Sequence, residues 1–173
     1  SVATAGNDHR LGANEAPPAV VSIFLGDELN AVLEAIETDT PYEGMEKTQM
    51  KLGVNVLPKF NRDTTDRNRT SPFAFTGNKF EFRMPGSNSS IAGCNIVLNA
   101  VVADELKQFA DVLEKAADLP SALHVLIQET TKHHYRIIFN GNGYDDAWIE
   151  DAQKRGLLNL RTTPDASPYF IRE

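Results

Sequence analysis

The stretch NRTSPFAFTGNKFEFR, residues 68–83, decides how this chain is read. Its last five residues, Lys79-Phe80-Glu81-Phe82-Arg83, alternate charge with aromatic ring. Successive side chains on a strand point to opposite sides, so this alternation predicts a strand with one apolar and one charged face. Phe80 and Phe82 are expected to enter a core, packed beneath a helix over residues 91–116. Lys79, Glu81 and Arg83 then share the other face, which either meets bulk water or lines a cleft that binds something charged. A solvated face with cross-strand ion pairs is the commoner outcome for such a pattern. Just upstream, PFAF ends at Thr76-Gly77-Asn78, so the whole stretch reads as a hairpin.

The surrounding composition limits what such a hairpin can serve. The chain has 173 residues, 41% of them apolar, which suits one domain over 1–173. A formal charge of −7 argues against a general nucleic-acid or anionic-membrane surface, so any anion must be held by a local cluster. Cys94 is the single cysteine, which excludes an internal disulfide and fits a reducing compartment, with the cytoplasm as the expected location. No apolar run approaches the roughly 20 residues that span a bilayer. The abrupt start at SVATAG and stop at YFIRE suggest a piece of a longer protein.

Outward from the hairpin, helical periodicity dominates. Leu29, Val32, Leu33 and Ile36 fall at i, i+3, i+4 and i+7, with Asp27 placed to cap the start. EAPPAVVSIFLG, residues 15–26, is compatible with a short helix opened by Pro17 and Pro18 or with a strand through Val20-Val21. The polar connection from Thr38 to Arg67, interrupted by the strand candidate GVNVLP, is expected to be poorly ordered. After the hairpin, Ile91, Leu98, Val102, Phe109 and Val112 form a stripe broadened by Val101, Leu106 and Leu113. They predict a long, largely buried helix, capped from GSNSS and ended by Leu119-Pro120. Residues 121–138 predict another amphipathic helix. A third is capped by Asp145 or Asp146 and stopped by Gly156. The expected class is α+β, a hairpin or partial antiparallel sheet packed against several amphipathic helices.

Several residue groups could carry chemistry. Arg67 and Arg69 precede the hairpin and could converge with its charged face on phosphate or carboxylate. The segment DHRLGANEAPP adds Arg10 and Glu15 in a Gly-rich loop, a common setting for catalytic groups and for surface salt bridges alike. His133 and His134 diverge by roughly 100° on a helix and cannot easily share an ion, so they read as a helix face plus a packed histidine. GNG at 141–143 lacks the strand and Lys of a phosphate loop and reads as a turn. Cys94 reads as a small core residue, and Trp148 as core or interface.

Together, DHRLGANEAPPA, DRNRTSPFAFTGNKFEFRMPGS and IIFNGNGYDDAW…RGLLNL resemble the C-terminal part of the catalytic region of glutamine synthetases, specifically the long bacterial type III class. The resemblance covers nearly the whole chain. It implies a fragment of a glutamate–ammonia ligase, a homo-oligomer at full length, that makes glutamine from glutamate, ammonia and ATP with Mg²⁺ or Mn²⁺. By the same resemblance Glu81 matches a metal ligand at the nucleotide phosphates and Arg83 an arginine that holds a carboxylate of glutamate. Lys79 stands where the family has an arginine near the nucleotide phosphates. Arg69 matches the arginine facing the transferred phosphate, Arg10 one near the glutamate substrate, and Glu15 the flap glutamate proposed to deprotonate ammonium. Ala74 stands where the family often has a second phosphate-binding arginine, and Arg10 and Glu15 are one residue closer than in the pattern. The family's other metal glutamates have no equivalent here, so the isolated chain is expected to be inactive. A γ-glutamyl ligase using another amine, and a non-catalytic interaction module, are the alternative readings.

Overall fold

The structure is a computed structural model that describes residues 19–42, 44, 71–86, 89–169 and 171 and the backbone of 49–50 and 60–61. Two short strands, β1 (Ile23–Phe24) and β4 (Phe73–Phe75), pair in parallel, and β4 pairs antiparallel with β5 (Phe80–Phe82), giving the order β1-β4-β5. The stretch 15–26, compatible with either type, thus includes a strand at Ile23–Phe24. β2 (Gln49–Met50) and β3 (Phe60–Asn61) form a separate antiparallel pair. The strand candidate at 53–58 lies between them, outside the described residues, as does most of the connection expected to be poorly ordered. The helices are α1 (Gly26–Thr38), α2 (Ala92–Leu113), α3 (Leu119–His134), α4 (Asp146–Lys154) and the short α5 (Thr163–Ala166). Among the described residues the architecture is α+β, a small mixed sheet with five α-helices. No described helix is long and apolar enough to cross a membrane.

The β4–β5 hairpin forms as the alternation predicts, closed by the Thr76 amide donating to the Lys79 carbonyl at 2.8 Å. Register fixes its two faces. Phe73 lies opposite Phe82 and Phe75 opposite Phe80, which gathers the aromatic rings on one side with centroids 5.2–6.2 Å apart. Phe82 packs against the cluster of Ala19, Met84 and Ala166. Phe80, by contrast, is 48% exposed, which corrects the expectation that both rings are sealed in a core. The reason is positional: β5 is the last strand of the described sheet, and Phe80 sits beside the turn with Phe73 and Phe75 as its ring neighbours among the described residues.

A better-filled core lies where the C-terminal third meets β1. Val20, Trp148 and Ala152 are buried together, with Phe139 and Leu157 against them. The Phe139 and Trp148 rings stack with centroids 3.6 Å apart, and the Arg155 guanidinium covers the Trp148 ring at 5.2 Å. Arg155 also pairs with Asp151 at 2.6 Å and donates to the Ile138 carbonyl at 3.0 Å, so one side chain ties α4 to the strand-like segment beside β1. Trp148 is therefore core, as read. Asp145 is the α4 cap, its carboxylate accepting from the Ala147 amide, and Gly156 at φ +68° ends the helix as a left-handed stop.

Helix α1 is held at both ends by side chains far along the chain. The Leu25 and Gly26 amides donate to Asn140 Oδ1 at 3.0 and 3.1 Å. Asn140 therefore fills the role assigned to Asp27, which lies inside the first turn instead. Gly26 takes φ +78°, a conformation that favours glycine. At the other end Gln128 of α3 donates to the Ile36 and Glu37 carbonyls at 3.1 and 3.0 Å, and Tyr135 donates to Glu34 at 3.1 Å.

Helix α2 departs most from expectation. It contains no buried residue, and Val97, Val101, Val102, Leu106 and Val112 are each more than half exposed. Cys94, Leu98, Phe109 and Leu113 are half-buried, and the helix is in contact with α3. Its boundary also differs, because Leu119-Pro120 begins α3 instead of ending α2. Proline is compatible with the first turn of a helix, whose amides lack intrahelical partners, as well as with the end of one. His133 and His134 are both exposed, so neither is a packed histidine.

Candidate active site on the edge strand

Away from the turn, the charged face of β5 is partly sheltered. Glu81 lies opposite Ala74, and Ala74 lies beside Phe24 of β1, forming one row across the sheet. Ala74 is fully buried and Phe24 nearly so. The Glu81 side chain keeps 29% of its exposure and Arg83 is half-buried, whereas Lys79 is 66% exposed. Such a row places a carboxylate at the rim of packed apolar surface, where charge interactions are less screened than in open water. This weakens the reading of a plain solvated face.

Lys79 Nζ lies 3.6 Å from Glu81 Oε1, so the ammonium partly balances the carboxylate along the strand. The ordering Lys79, Glu81, Arg83 follows from the two-residue period of the strand. It sets a carboxylate between two cations on one face. Arg83 is anchored through its backbone, its amide donating to the Pro72 carbonyl at 2.8 Å. That bond extends the hairpin pairing one residue beyond β5 and fixes the root of the guanidinium. A fork of planar donors suits a carboxylate or phosphate, and an ammonium suits a more diffuse anion.

Arg10, Glu15 and Arg69 lie outside the described residues, so of the expected site residues the structure brings together Lys79, Glu81 and Arg83. Ala74, which replaces an expected arginine, is fully enclosed between Phe24 and the Glu81 strand. An arginine here would have to displace that packing or bury its charge. No group of three or more His, Cys, Asp or Glu among the described residues could hold a metal ion. A divalent cation takes six or more oxygen ligands, several of them protein or phosphate oxygens, so Glu81 by itself does not make a metal site.

Sequence reasoning missed the polar ties that position this strand. The Ser22 hydroxyl donates to Ser71 Oγ at 2.8 Å, and Ser71 donates to the Phe139 carbonyl at 3.3 Å. Both serines are buried. They link β1, the entry to β4 and the segment before Asn140, three pieces far apart in sequence. A serine inside an apolar run was the available signal, but nothing local says what it reaches. A shallow groove between α1 and α3, lined by Val32, Ile36, Asp39, Tyr42 and His124, contains none of the expected site residues.

Comparison with known proteins places these features. The family model described as glutamine synthetase C-terminal domain matches residues 122–173, which run from within α3 to the chain end. The chain is 47% identical over 189 aligned residues to the glutamine synthetase of Butyrivibrio fibrisolvens, covering 100% of this chain and 25% of that protein. It is 48% identical over 169 residues to the type-3 glutamine synthetase of Dictyostelium discoideum, covering 96% of this chain and 23% of the relative. It is 44% identical over 177 residues to the glutamine synthetase of Bacteroides fragilis (strain YCH46), covering 98% and 24%. The chain thus spans about a quarter of the length of the curated relatives it matches.

Proposed function

Because the chain belongs to the glutamine synthetase family, we propose that it supplies part of the active site of a glutamate–ammonia ligase. The observation that carries this reading is identity of 44–48% to glutamine synthetases over almost the whole chain, the charged hairpin included. The strand geometry supports it. Alternation sets Lys79, Glu81 and Arg83 on one face, and the enclosed Ala74 row holds Glu81 at a packed rim.

In this reading the full-length enzyme transfers the γ-phosphoryl group of ATP to the side-chain carboxylate of glutamate. Ammonia then attacks the carbonyl carbon of the γ-glutamyl phosphate, the carbon–oxygen bond to phosphate breaks, and inorganic phosphate leaves. Phosphoryl transfer depends chiefly on position and on neutralised charge. Arg83 holds the substrate carboxylate, Lys79 lies near the nucleotide phosphates, and Arg69 faces the group in transit. Glu15 takes the proton from ammonium so that the nitrogen has a lone pair, and Arg10 helps hold glutamate. Glu81 would contribute one oxygen ligand to Mg²⁺ or Mn²⁺, which would screen phosphate charge when bound. The remaining ligands would come from outside the described residues. The isolated chain is inactive, and the full-length enzyme is a cytoplasmic homo-oligomer.

The test is turnover of a full-length enzyme against Mg²⁺ concentration for Glu81 and for Glu81→Gln, with thermal stability measured alongside. The substitution keeps size and removes a charged oxygen ligand. A raised Mg²⁺ requirement with an unchanged melting point is expected. Equal turnover at limiting Mg²⁺ would remove Glu81 from the site and favour a non-catalytic role for this segment. Assay with ammonia beside several other amines separates glutamine synthesis from a related γ-glutamyl ligase.

A further inference from the structure

Arg83 has its backbone fixed one peptide unit away from a buried hydroxyl. Its amide donates to the Pro72 carbonyl at 2.8 Å, and Pro72 directly follows Ser71. Ser71 is 1% exposed and Pro72 is fully buried, so neither shifts without disturbing packed neighbours. The Ser71 hydroxyl uses both of its hydrogen-bonding roles. It accepts from the Ser22 hydroxyl at 2.8 Å and donates to the Phe139 carbonyl at 3.3 Å, which makes one directed chain from Ser22 through Ser71 to Phe139. Both ends of that chain are held in turn. Ser22 directly precedes β1, whose Ile23 pairs with Phe73 of β4. Phe139 donates its own amide to the Ile23 carbonyl at 2.9 Å, stacks its ring on Trp148 and is followed by Asn140, the partner of the first amides of α1. Phe139 lies within residues 122–173, matched as the glutamine synthetase C-terminal domain, and the hairpin lies outside them. Ser71 thus carries a hydrogen bond from the root of the hairpin to that C-terminal domain.

We propose that Ser71 is a positioning residue of the ligase site, whose hydroxyl holds the root of Arg83 in place against the C-terminal domain and so sets the affinity for glutamate. The proposal rests on the ligase reading, in which Arg83 holds a substrate carboxylate. Packing alone does not ask for this arrangement. An apolar side chain would fill the site without taking a hydroxyl out of water, and a buried hydrogen bond adds only modest net stability. What the two matched hydroxyls add is direction, because a satisfied polar chain accepts one alignment of donors and acceptors. A guanidinium that meets a carboxylate through two parallel hydrogen bonds needs that definition, since its fork has a fixed geometry. Lys79 needs it less. Its ammonium acts as a point charge, and it stands beside the turn, at the end of the hairpin away from Ser71. Loss of the Ser71 hydroxyl is therefore felt at glutamate more than at ATP.

The experiment uses a full-length synthetase carrying these 173 residues and measures steady-state kinetics for glutamate and for ATP separately, with the melting point alongside. Ser71→Ala is expected to raise KM for glutamate roughly tenfold while KM for ATP and kcat stay within about threefold of the parent, because the tie serves the binding of one substrate. Ser22→Ala keeps the bond to Phe139 and should raise the glutamate KM by less, about two- to threefold. Gln128→Ala is the control. It removes another tie between distant elements, the donations to the Ile36 and Glu37 carbonyls, and should lower the melting point with both KM values unchanged. Arg83→Lys keeps the charge, loses the fork and reports on the ligase reading itself. A glutamate KM unmoved by Arg83→Lys would remove that reading and the proposal with it. A glutamate KM raised by Arg83→Lys but unmoved by Ser71→Ala would leave the reading standing and overturn the proposal. Equal rises for glutamate and ATP in Ser71→Ala, or a profile matching Gln128→Ala, would overturn it too, since either marks a purely structural tie. If Ser71→Ala yields no folded enzyme, Ser22→Ala decides, and an unmoved glutamate KM in that variant overturns the proposal.

Discussion

Helix α4 has nine residues and buries two of them, Trp148 and Ala152, whereas helix α2 has twenty-two and buries none. Both carry a clear apolar stripe. The difference lies in what is opposite. Helix α4 meets Val20 and Phe139, is capped by Asp145, stopped by Gly156 and fastened to the neighbouring segment through Arg155. Helix α2 meets α3 over part of its length and has no side-chain cap from the residue that begins it. Periodicity therefore reports that a face wants burial; a second element decides whether it is buried.

The comparison breaks most visibly at Trp148. Replacing it with Ala removes the ring stacked on Phe139 and the surface beneath Arg155. A loss of about 3–5 kcal/mol is expected, as for large aromatic deletions in cores. Urea unfolding of the chain measures it. A loss below about 1 kcal/mol would mean that α4 is no better seated than α2, and the contrast would fail.

Asn140 sharpens the comparison one step lower. Its side-chain oxygen accepts both the Leu25 and Gly26 amides, so Asn140→Ala leaves the start of α1 without that partner. The expected loss is about 1–2 kcal/mol, in the range of a strong helix cap. Asn140→Asp keeps an acceptor oxygen and should recover most of it. Equal losses for Ala and Asp would show that the amide nitrogen matters instead, and the capping account would fall.

These cases show which parts of the molecule were legible in the sequence. The hairpin, α1, α4, the Asp145 cap and the Gly156 stop all rest on signals within a few residues of one another. The faces of Lys79, Glu81 and Arg83 follow from strand alternation alone. The cap by Asn140, the Ser22–Ser71 link and the Gln128 contact to α1 join residues 49 or more apart, and no local pattern announces them. The α2–α3 boundary failed for another reason. Leu119-Pro120 is consistent with an end or a beginning, and the intervening residues had to choose. The role of Glu81 came from family resemblance, because alternation describes a face without naming its ligand.

A pH series probes the smaller tie between α1 and α3. The Tyr135 hydroxyl is held above its ordinary pKa of 10.0 by burial and then by the Glu34 carboxylate that accepts its hydrogen bond. A phenol whose folded pKa exceeds its unfolded one binds more protons in the folded state. Its stabilising contribution is thus complete below pH 10.0 and is lost as pH rises through the higher folded value. Tyr135→Phe should remove that alkaline dependence and lower stability modestly at neutral pH by deleting the hydrogen bond to Glu34. Identical profiles for the two proteins would exclude Tyr135 as its source.

The smallest expected effect is at Leu106, in the bare middle of α2. Leucine and glutamine have nearly equal helix propensity, so Leu106→Gln leaves the backbone preference almost untouched. The side chain is already 60% exposed, so little apolar surface returns to water when it is replaced. A change within about 0.5 kcal/mol is expected in this chain, the range of ordinary surface substitutions. Leu113→Ala, on the half-buried part of the same helix, should cost more, because it removes surface that α2 already shelters. Both are read from urea midpoints with the slope held constant, which keeps a change in compactness from passing as a change in stability. If Leu106→Gln cost as much as Leu113→Ala, the middle of α2 would be seated within this chain, and its contrast with α4 would shrink to a difference in degree.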